Sequence, residues 1–170
     1  KNTNMFDNVF IEYRVPIDLI NGYLWGNRHK VDVDILLELN GEFFPIELKY
    51  KTVLTVIERN LFGEDIQIEL ANQGAQNENC YFVWKDVKRN EILSSNFHNV
   101  ITGITILITN DDSYLVGPSE NSQYYPFCFS QNKRVNSVEW NGASESKLQK
   151  CPNFELENEY VVNWEELENM

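Results

Sequence analysis

Two apolar runs on either side of an Asn-Gly pair constrain the fold of this chain more than any other feature of its sequence. Residues 31–39 (VDVDILLEL) and 42–50 (EFFPIELKY) flank Asn40 and Gly41. Both turn residues tolerate a positive φ, and such a pair between apolar runs is the strongest short-range signal for a β-hairpin. The sequence therefore predicts a hairpin over residues 31–50.

The hairpin carries two acidic residues and a lysine whose positions bring them together. Glu47 and Lys49 are two residues apart on one strand, so both project from the same face. With this turn, residues whose numbers sum to 81 face each other, which sets Asp34 opposite Glu47. Directly opposed Cβ atoms lie roughly 4.5–5.5 Å apart, and like charges at that distance destabilise a hairpin. A divalent cation between them removes the conflict, because hard cations such as Mg²⁺ prefer oxygen ligands.

Lys49 supplies a group that fits phosphodiester hydrolysis next to such a metal. An ammonium there can stabilise charge on a phosphorane-like transition state or orient a hydrolytic water. Metal and lysine together require no serine, cysteine or histidine nucleophile. The alternative interpretation is a solvent-exposed hairpin face with a cross-strand ion pair. On the other face of the second strand, Ile46 and Leu48 are expected to pack into the core.

The remaining segments predict a mixed sheet with a crossover helix, and hence an α/β fold. Apolar residues recur with helical spacing at Cys80, Val83, Trp84 and Val87, so Cys80 and Trp84 are expected in the core. Residues 53–72 predict only a short strand and a loop. The other predicted elements are a strand over 9–15 with one apolar face (Val9, Ile11, Tyr13, Val15), a helix over about 79–93, a buried strand over 101–109 and a late strand near 160–162.

Composition limits the class of protein. The 170 residues suit one domain over 1–170, and 42% of them are hydrophobic, enough for a real core. No run approaches the roughly 20 apolar residues of a membrane span, and the polar start predicts no signal peptide. Three widely spaced cysteines without a CxxC pair favour isolated thiols in a reducing cytoplasm over a disulfide framework or a zinc site. The net charge of −12 argues against an overall basic nucleic-acid footprint, although basic residues can still cluster locally.

These motifs resemble those of the PD-(D/E)XK, or restriction-endonuclease-like, nuclease superfamily. The resemblance rests on Asp34-Ile35-Leu36, a thirteen-residue step, and Glu47-Leu48-Lys49, with Val33 in place of the leading proline. It extends to residues 49–52 (KYKT), 72–76 (NQGAQ), 81–91 (YFVWKDVKRNE) and 106–114 (ILITNDDSY), which are similar to a poorly characterised bacterial group of such proteins. The match covers about residues 9–115 and leaves 116–170 as a C-terminal extension.

The resemblance implies an αβββαβ core with a mixed central sheet flanked by helices. It also implies that Asp34 and Glu47 hold Mg²⁺, for which Mn²⁺ can substitute, that the carbonyl of Leu48 is a further ligand, and that Lys49 assists the attack. Many members carry an acidic residue on a helix before the first strand. Glu12 is a weak substitute for it, because Glu12 is predicted on a strand.

Further residues are candidates for substrate binding, each with a structural alternative. Lys85 and Arg89 can line a phosphate-binding face, with Asp86 holding Arg89, or belong to a solvated helix face. Gln73 and Gln76 can bind the substrate or a metal-bound water, or act as a loop or helix cap. The remaining candidates are Lys51, which follows the Glu47-Leu48-Lys49 motif, and the short basic run Arg28-His29-Lys30. For Asp32, a surface charge is favoured over a place in the same cleft.

The expected function is therefore a Mg²⁺-dependent endonuclease or exonuclease acting on DNA, in defence or repair. One alternative is a non-catalytic module of the same fold that binds nucleic acid or protein; the acidic composition favours it or a nuclease recruited by a partner. Another is an RNA-processing nuclease, since the contacts to the 2′-OH that would decide the substrate are not legible in the sequence. A protein partner or a homo-oligomer fits each of these, and no membrane association is expected.

Overall fold

The chain folds into a mixed α/β arrangement around a mixed β-sheet. The computed structural model describes residues 5–25 and 30–167. Its strands are β1 (Asn8–Pro16), β2 (Lys30–Leu39), β3 (Glu42–Lys51), β4 (Thr55–Leu61), β5 (Glu64–Leu70), β6 (Ile104–Thr109), β7 (Arg134–Val138) and β8 (Phe154–Val161). Its helices are α1 (Gln76–Asn96), α2 (Ser113–Val116) and α3 (Glu145–Lys150), with short 3₁₀ turns at Ile17–Leu19 and Tyr125–Phe127. No helix within the described ranges is long and apolar enough to cross a membrane.

Strands β2 and β3 form the predicted hairpin. Asn40 and Gly41 have φ values of 54° and 79°, the left-handed conformations that a tight two-residue hairpin turn requires. The ladder runs from the Leu39–Glu42 pair to the Ile35–Ile46 pair, and in each pair the residue numbers sum to 81. The hairpin and its register between Ile35 and Ile46 are therefore confirmed, whereas the predicted pair of Asp34 with Glu47 lies just beyond this ladder.

The hairpin lies at the centre of a four-stranded sheet with the order β1-β2-β3-β6. β1 and β2 are antiparallel, as are β2 and β3, whereas β3 and β6 are parallel. A parallel pair needs a crossover connection, and α1 lies on the connection between β3 and β6. The predicted placement of the 104–109 strand next to the hairpin is confirmed.

The prediction that Ile46, Leu48 and the whole β6 strand are buried is wrong. Leu48 is 43% exposed, and Ile104, Ile106 and Ile108 on the same face are between 40% and 48% exposed. Helix α1 contacts β3 and β6, and the fully buried residues of β3 are Pro45 and Glu47, whose side chains project from the opposite face to Leu48. The sheet therefore buries the face that carries the charged residues of β3 and leaves its isoleucine face open.

Strand β1 changes face part-way along its length. Glu12 has a φ of 51°, which breaks the strict alternation of an extended strand. Phe10 and Val15, five residues apart, consequently pack against the same buried cluster, while Ile11 is 65% exposed. The single apolar face predicted for residues 9–15 is therefore wrong.

Residues 53–72 contain a complete second hairpin, where the sequence predicts only a short strand and a loop. β4 and β5 pair from Thr55–Leu70 to Leu61–Glu64, and the turn residues Phe62 and Gly63 have φ values of 56° and 87°. A phenylalanine in the left-handed region is rare, which is why this turn carries no sequence signal. Hydrogen bonds from Gln73 to the Thr52 carbonyl (2.8 Å) and from the Thr52 hydroxyl to the Ala71 carbonyl (2.6 Å) close the base of this hairpin.

Helix α1 joins two hydrophobic clusters. Its C-terminal half packs Ile92 and Leu93 against Val31, Val33 and Leu36 of β2. Its N-terminal half packs against the C-terminal extension, which supplies most of the other cluster. The members of that cluster are Cys80, Tyr81, Val83, Trp84, Tyr114, Phe127, Phe129, Val135, Val138, Trp140, Cys151, Phe154, Leu156 and Val162. Cys80 and Trp84 thus lie in the core as predicted, and all three cysteines are buried and unpaired.

Candidate active site

Asp34 lies where the β2–β3 ladder ends. The last pair of the ladder is Ile35–Ile46, and Ile35 directly follows Asp34 in the chain. Val33 and Leu36 are both buried although they are three residues apart, so β2 changes its alternation at this point. The Leu48 amide donates a hydrogen bond of 2.8 Å to Oδ2 of Asp34. The irregularity therefore turns the Asp34 carboxylate towards the backbone of β3.

Glu47 is the most deeply buried charged residue among those described, with no exposed surface. Its Oε1 atom accepts a hydrogen bond of 2.7 Å from Nη1 of Arg89 on α1. Its Oε2 atom is buried and accepts no hydrogen bond from any residue in the described ranges. One oxygen of this carboxylate is thus neutralised inside the protein and the other is left without a partner, which is unusual for a buried polar atom.

Burial raises the pKa of Glu47 to about 8. Desolvation is the largest cause, and the Arg89 guanidinium opposes it, while the carboxylates of Asp86 and Asp34 add to the increase. The contribution of Asp34 means that the two acidic groups predicted to share a cation do interact.

Helix α1 brings a third acidic residue, Asp86, to the lysine. Nζ of Lys49 lies 2.6 Å from Oδ2 of Asp86, and Nη2 of Arg89 lies 2.7 Å from Oδ1 of the same carboxylate. The Asp86 and Lys49 side chains are 3% and 24% exposed. On the face of the sheet that α1 covers, four side chains of alternating charge contact one another in the order Lys49, Asp86, Arg89 and Glu47. We call this row of ion pairs the charge relay, a name that refers to its arrangement only.

Arg89 holds this charge relay together rather than facing solvent. Besides Glu47 and Asp86, it donates a hydrogen bond of 2.8 Å to the backbone carbonyl of Asp32 on β2. Tyr23 also hydrogen-bonds to Arg89, and burial raises the pKa of this tyrosine. The predicted holding of Arg89 by Asp86 is confirmed, and the alternative of a solvated helix face does not apply to these two residues. Both terminal nitrogens of Arg89 are engaged inside the protein, whereas its Nε is buried without a hydrogen-bond partner in the described ranges. A role of Arg89 in substrate binding stays a prediction.

Lys51 and Gln73 lie just beyond this group. Lys51 follows Lys49 by two residues on β3, is half-buried and has no ion-pair partner among the described residues. The backbone amide of Gln73 bonds to Thr52, and its side-chain Oε1 is buried without a hydrogen-bond partner within the described ranges. Both side chains keep capacity for a further ligand, and their role in substrate binding stays a prediction.

Gln76 and Lys85 occupy structural positions. Gln76 donates to Oδ2 of Asp111 at 3.0 Å and accepts from the Tyr124 hydroxyl at 3.2 Å, and its amide also contacts Ser113. These contacts use its amide group at the start of α1, which supports the alternative role at the helix end. Nζ of Lys85 lies 5.1 Å from the centre of the Trp25 ring, a cation–π contact.

The other basic and acidic candidates lie apart from the charge relay. Arg28 and His29 are outside the described residues, and Lys30 is exposed at the start of β2. The Asp32 side chain pairs with Arg14 at 3.2 Å, and both side chains are at least half exposed. Surface charge, the favoured interpretation of Asp32, is therefore supported.

The oxygen atoms present fit a cation that is held by few protein ligands. No group of three or more His, Cys, Asp or Glu residues within the described ranges is close enough to hold a metal. Mg²⁺, however, commonly binds through one or two carboxylates and keeps several waters. Oε2 of Glu47 has no partner, and Oδ1 of Asp34 accepts no hydrogen bond from the described part of the chain. The Leu48 carbonyl is expected to point to the same side as its amide, towards Asp34, because both groups of one strand residue face the same edge.

The sequence did not predict that Asp86 contacts Lys49 or that Tyr23 lies next to Arg89. The spacing of three residues on a helix predicts the contact of Asp86 with Arg89. The contact of Asp86 with Lys49 depends on how α1 crosses the sheet, which the sequence does not show. Tyr23 lies in a turn-rich segment without periodicity, so no local pattern connects it to Arg89.

Comparison of the chain with protein family models, with curated proteins and with solved structures found no match.

Proposed function

We propose that this chain is a Mg²⁺-dependent nuclease that hydrolyses phosphodiester bonds of DNA, with the PD-(D/E)XK type of active site that its motifs resemble. One observation carries the proposal: Glu47 is completely buried, next to Asp34 and Lys49, with one carboxylate oxygen that has no partner in the described structure. A buried, unsatisfied oxygen acceptor costs free energy unless a ligand or an ion completes it.

In this proposal the residues have distinct roles. Asp34 and Glu47 hold the cation, with the Leu48 carbonyl as a further oxygen donor. A bound Mg²⁺ supplies Lewis-acid polarisation of the phosphate and a more acidic bound water. Arg89 fixes Glu47 through Oε1, at 2.7 Å, so that Oε2 stays directed away from the guanidinium. A nearby cation would also favour the ionised form of Glu47, whose pKa is about 8 without it.

Lys49 is proposed to stabilise the charge that develops on the phosphate. Asp86, at 2.6 Å, holds its ammonium in place, and the lysine side chain is still 24% exposed. The matched comparison is Lys51, which lies two residues further along the same face of β3 and has no ion-pair partner in the described ranges.

The test is cleavage of supercoiled plasmid, linear duplex, single-stranded DNA and single-stranded RNA with Mg²⁺, with Mn²⁺ and with EDTA. Glu47→Gln and Asp34→Asn should abolish cleavage, and Lys49→Met should lower its rate by about 10²–10³-fold. Lys51→Ala, at a candidate for substrate binding, should lower the rate less than Lys49→Met, and Lys150→Ala, the control at an exposed lysine of α3, should retain a rate close to that of the wild type. Circular dichroism and thermal unfolding of each variant separate a lost activity from a lost fold.

The second candidate is a non-catalytic module that binds nucleic acid or protein. It is favoured by the charge relay, in which both cationic side chains are already paired with carboxylates, and by the net charge of −12. Absence of cleavage of all four substrates with either metal would overturn the nuclease proposal. Retained binding in that case would support the module, and cleavage of RNA alone would reassign the substrate.

A further inference from the structure

The outer edge of β6 is an unpaired strand edge. β6 is the last strand of the four-stranded sheet and pairs only with β3 among the described strands. In a strand, alternate residues direct their backbone amide and carbonyl groups to opposite edges. Half of the backbone groups of β6 are therefore directed away from β3, where no described backbone bond receives them. Such an edge is a ready template for another strand.

A groove of about 910 Å³ follows this edge. Its first wall consists of five consecutive residues of β6, Thr105 to Thr109, so side chains from both faces of the strand contribute. This can occur only at the rim of a sheet, because successive side chains of a strand point to opposite faces. The groove thus gives direct access to the unpaired backbone of β6.

The opposite wall is held in place by hydrogen bonds. It is formed mainly by residues 163–167, together with Leu115 and Gln131. The Trp164 indole donates to the Phe129 carbonyl at 2.6 Å, and the Trp164 amide donates to the Gln131 side chain at 2.9 Å. The wall is therefore anchored through Trp164 on the C-terminal part of the protein.

The lining combines apolar and acidic groups. Ile106, Ile108 and Leu115 are between 39% and 44% exposed, which leaves apolar surface open to a partner. All ionisable side chains of the lining are acidic, namely Asp112, Glu165 and Glu166. The groove therefore complements a ligand with apolar side chains on one side and positive charges on the other.

We propose that this edge binds an extended, basic segment of a partner protein as an additional strand of the sheet. Backbone hydrogen bonds to β6 would give affinity, and alternation of apolar and Lys or Arg side chains would give selectivity. The six residues of β6 would pair with a segment about 20 Å long, at about 3.3 Å per residue. A second copy is a poorer occupant, because it would bring a net charge of −12 and the same three acidic residues to this groove.

The test measures binding of a fluorescent, capped octapeptide that alternates valine and lysine to the 170-residue chain. Two peptide controls are an alternating valine–glutamate octapeptide and the valine–lysine peptide with alternate backbone N-methylation, which removes the N–H donors that strand pairing needs. We expect the valine–lysine peptide to bind and both controls to bind at least about tenfold more weakly, a difference of about 1.4 kcal/mol. Failure of the valine–lysine peptide to bind, or equal binding of the N-methylated peptide, would overturn the proposal.

A matched pair of protein variants locates the site. Glu165→Lys combined with Glu166→Lys reverses the charge of the groove and should weaken binding at least about tenfold. Glu120→Lys combined with Glu139→Lys makes the same change in net charge at exposed residues outside the lining and should change binding little. Equal weakening by both pairs would mean that only the overall charge matters. A dimer in sedimentation that excludes the valine–lysine peptide would instead assign the edge to a second copy, and both results contradict the proposal.

Discussion

The two faces of the four-stranded sheet differ in a way that inverts the usual pattern. The face covered by α1 buries Glu47 completely and Asp86 almost completely, together with their basic partners. The open face exposes 40–48% of Leu48 and of the three isoleucines of β6. Charged groups are buried at a cost unless they are paired, and large apolar groups gain by burial. The covered face therefore combines ion pairs with apolar contacts, whereas the open face leaves large apolar side chains in contact with solvent.

The largest expected effect concerns Arg89, the centre of the charge relay. Arg89→Met removes the partner of Glu47 Oε1 and one of the two partners of Asp86. Breaking a buried ion pair from one side typically costs about 3–5 kcal/mol of unfolding free energy. Urea unfolding at pH 8 in EDTA should show a loss of this size.

A double variant separates the charge effect from the loss of packing. Arg89→Met combined with Glu47→Gln leaves no unpaired acid at position 47, so it should recover part of the stability that Arg89→Met loses. If Arg89→Met alone costs less than about 1 kcal/mol, the covered face does not depend on its ion pairs.

The next effect compares two leucines on the two faces. Leu36 is 8% exposed in the cluster beneath α1, whereas Leu48, on the adjacent strand, is 43% exposed on the open face. Leu36→Ala should cost about 2–5 kcal/mol through lost burial and the cavity it leaves. Leu48→Ala should cost less than about 1 kcal/mol, because much of its surface is already in water. Chemical unfolding of the two variants measures both values, and equal losses would show that the open face is covered in solution.

A smaller effect concerns pH. The pKa of Glu47 is raised to about 8 in the folded protein, from 4.5 in the unfolded chain. Between these values the folded state holds a proton that the unfolded state has released, so a rise in pH destabilises the fold. The stabilisation is complete below about pH 4.5 and is lost as the pH rises through about 8.

The corresponding experiment compares the wild type with Glu47→Gln in EDTA at pH 6 and pH 7. The unfolding free energy of the wild type should fall by up to about 1.4 kcal/mol more than that of the variant over this interval. Identical pH dependence would mean that Glu47 titrates normally. Repeating the series with Mg²⁺ should reduce the difference, because a bound cation favours the ionised carboxyl group.

The sequence predicted the parts of the fold that local chemistry decides. The Asn40-Gly41 turn, the register summing to 81, and helix α1 depend on nearby residues and were correct within a few positions. The second hairpin was missed because its turn uses Phe62 at a positive φ, which local preference disfavours. The predicted burial of the Leu48 face of β3 and β6 was wrong. Alternation in a strand defines two faces but does not tell which of them a helix will cover.

The candidate site was likewise predicted where it depends on local strand geometry and not where it depends on the packing of α1. Strand geometry predicted that Asp34, Glu47 and Lys49 lie close together, and the structure places Asp34 and Glu47 just beyond the end of the β2–β3 ladder and links Glu47 to Lys49 through Arg89 and Asp86. The sequence could not show that Asp86 and Arg89 would join Lys49 to Glu47. These ion pairs connect residues about 40 positions apart and depend on how α1 packs on the sheet. Long-range pairings of this kind have no periodic signature in one sequence.

The smallest expected effect uses a second arginine that contacts the same residue as Arg89. Asp32 accepts a hydrogen bond from Arg89 through its backbone carbonyl, and its side chain pairs with Arg14 at 3.2 Å. The Arg14 pair is 63% and 50% exposed, so water and salt screen it. Arg14→Gln should therefore change the unfolding free energy by only about 0.2–1 kcal/mol, and less in 1 M salt. Arg89→Met should retain most of its effect in salt, because its ion pairs are buried. Urea unfolding of both variants with and without salt therefore compares an exposed arginine with a buried one. A loss from Arg14→Gln as large as that from Arg89→Met would contradict the conclusion that burial, rather than charge alone, distinguishes the covered face.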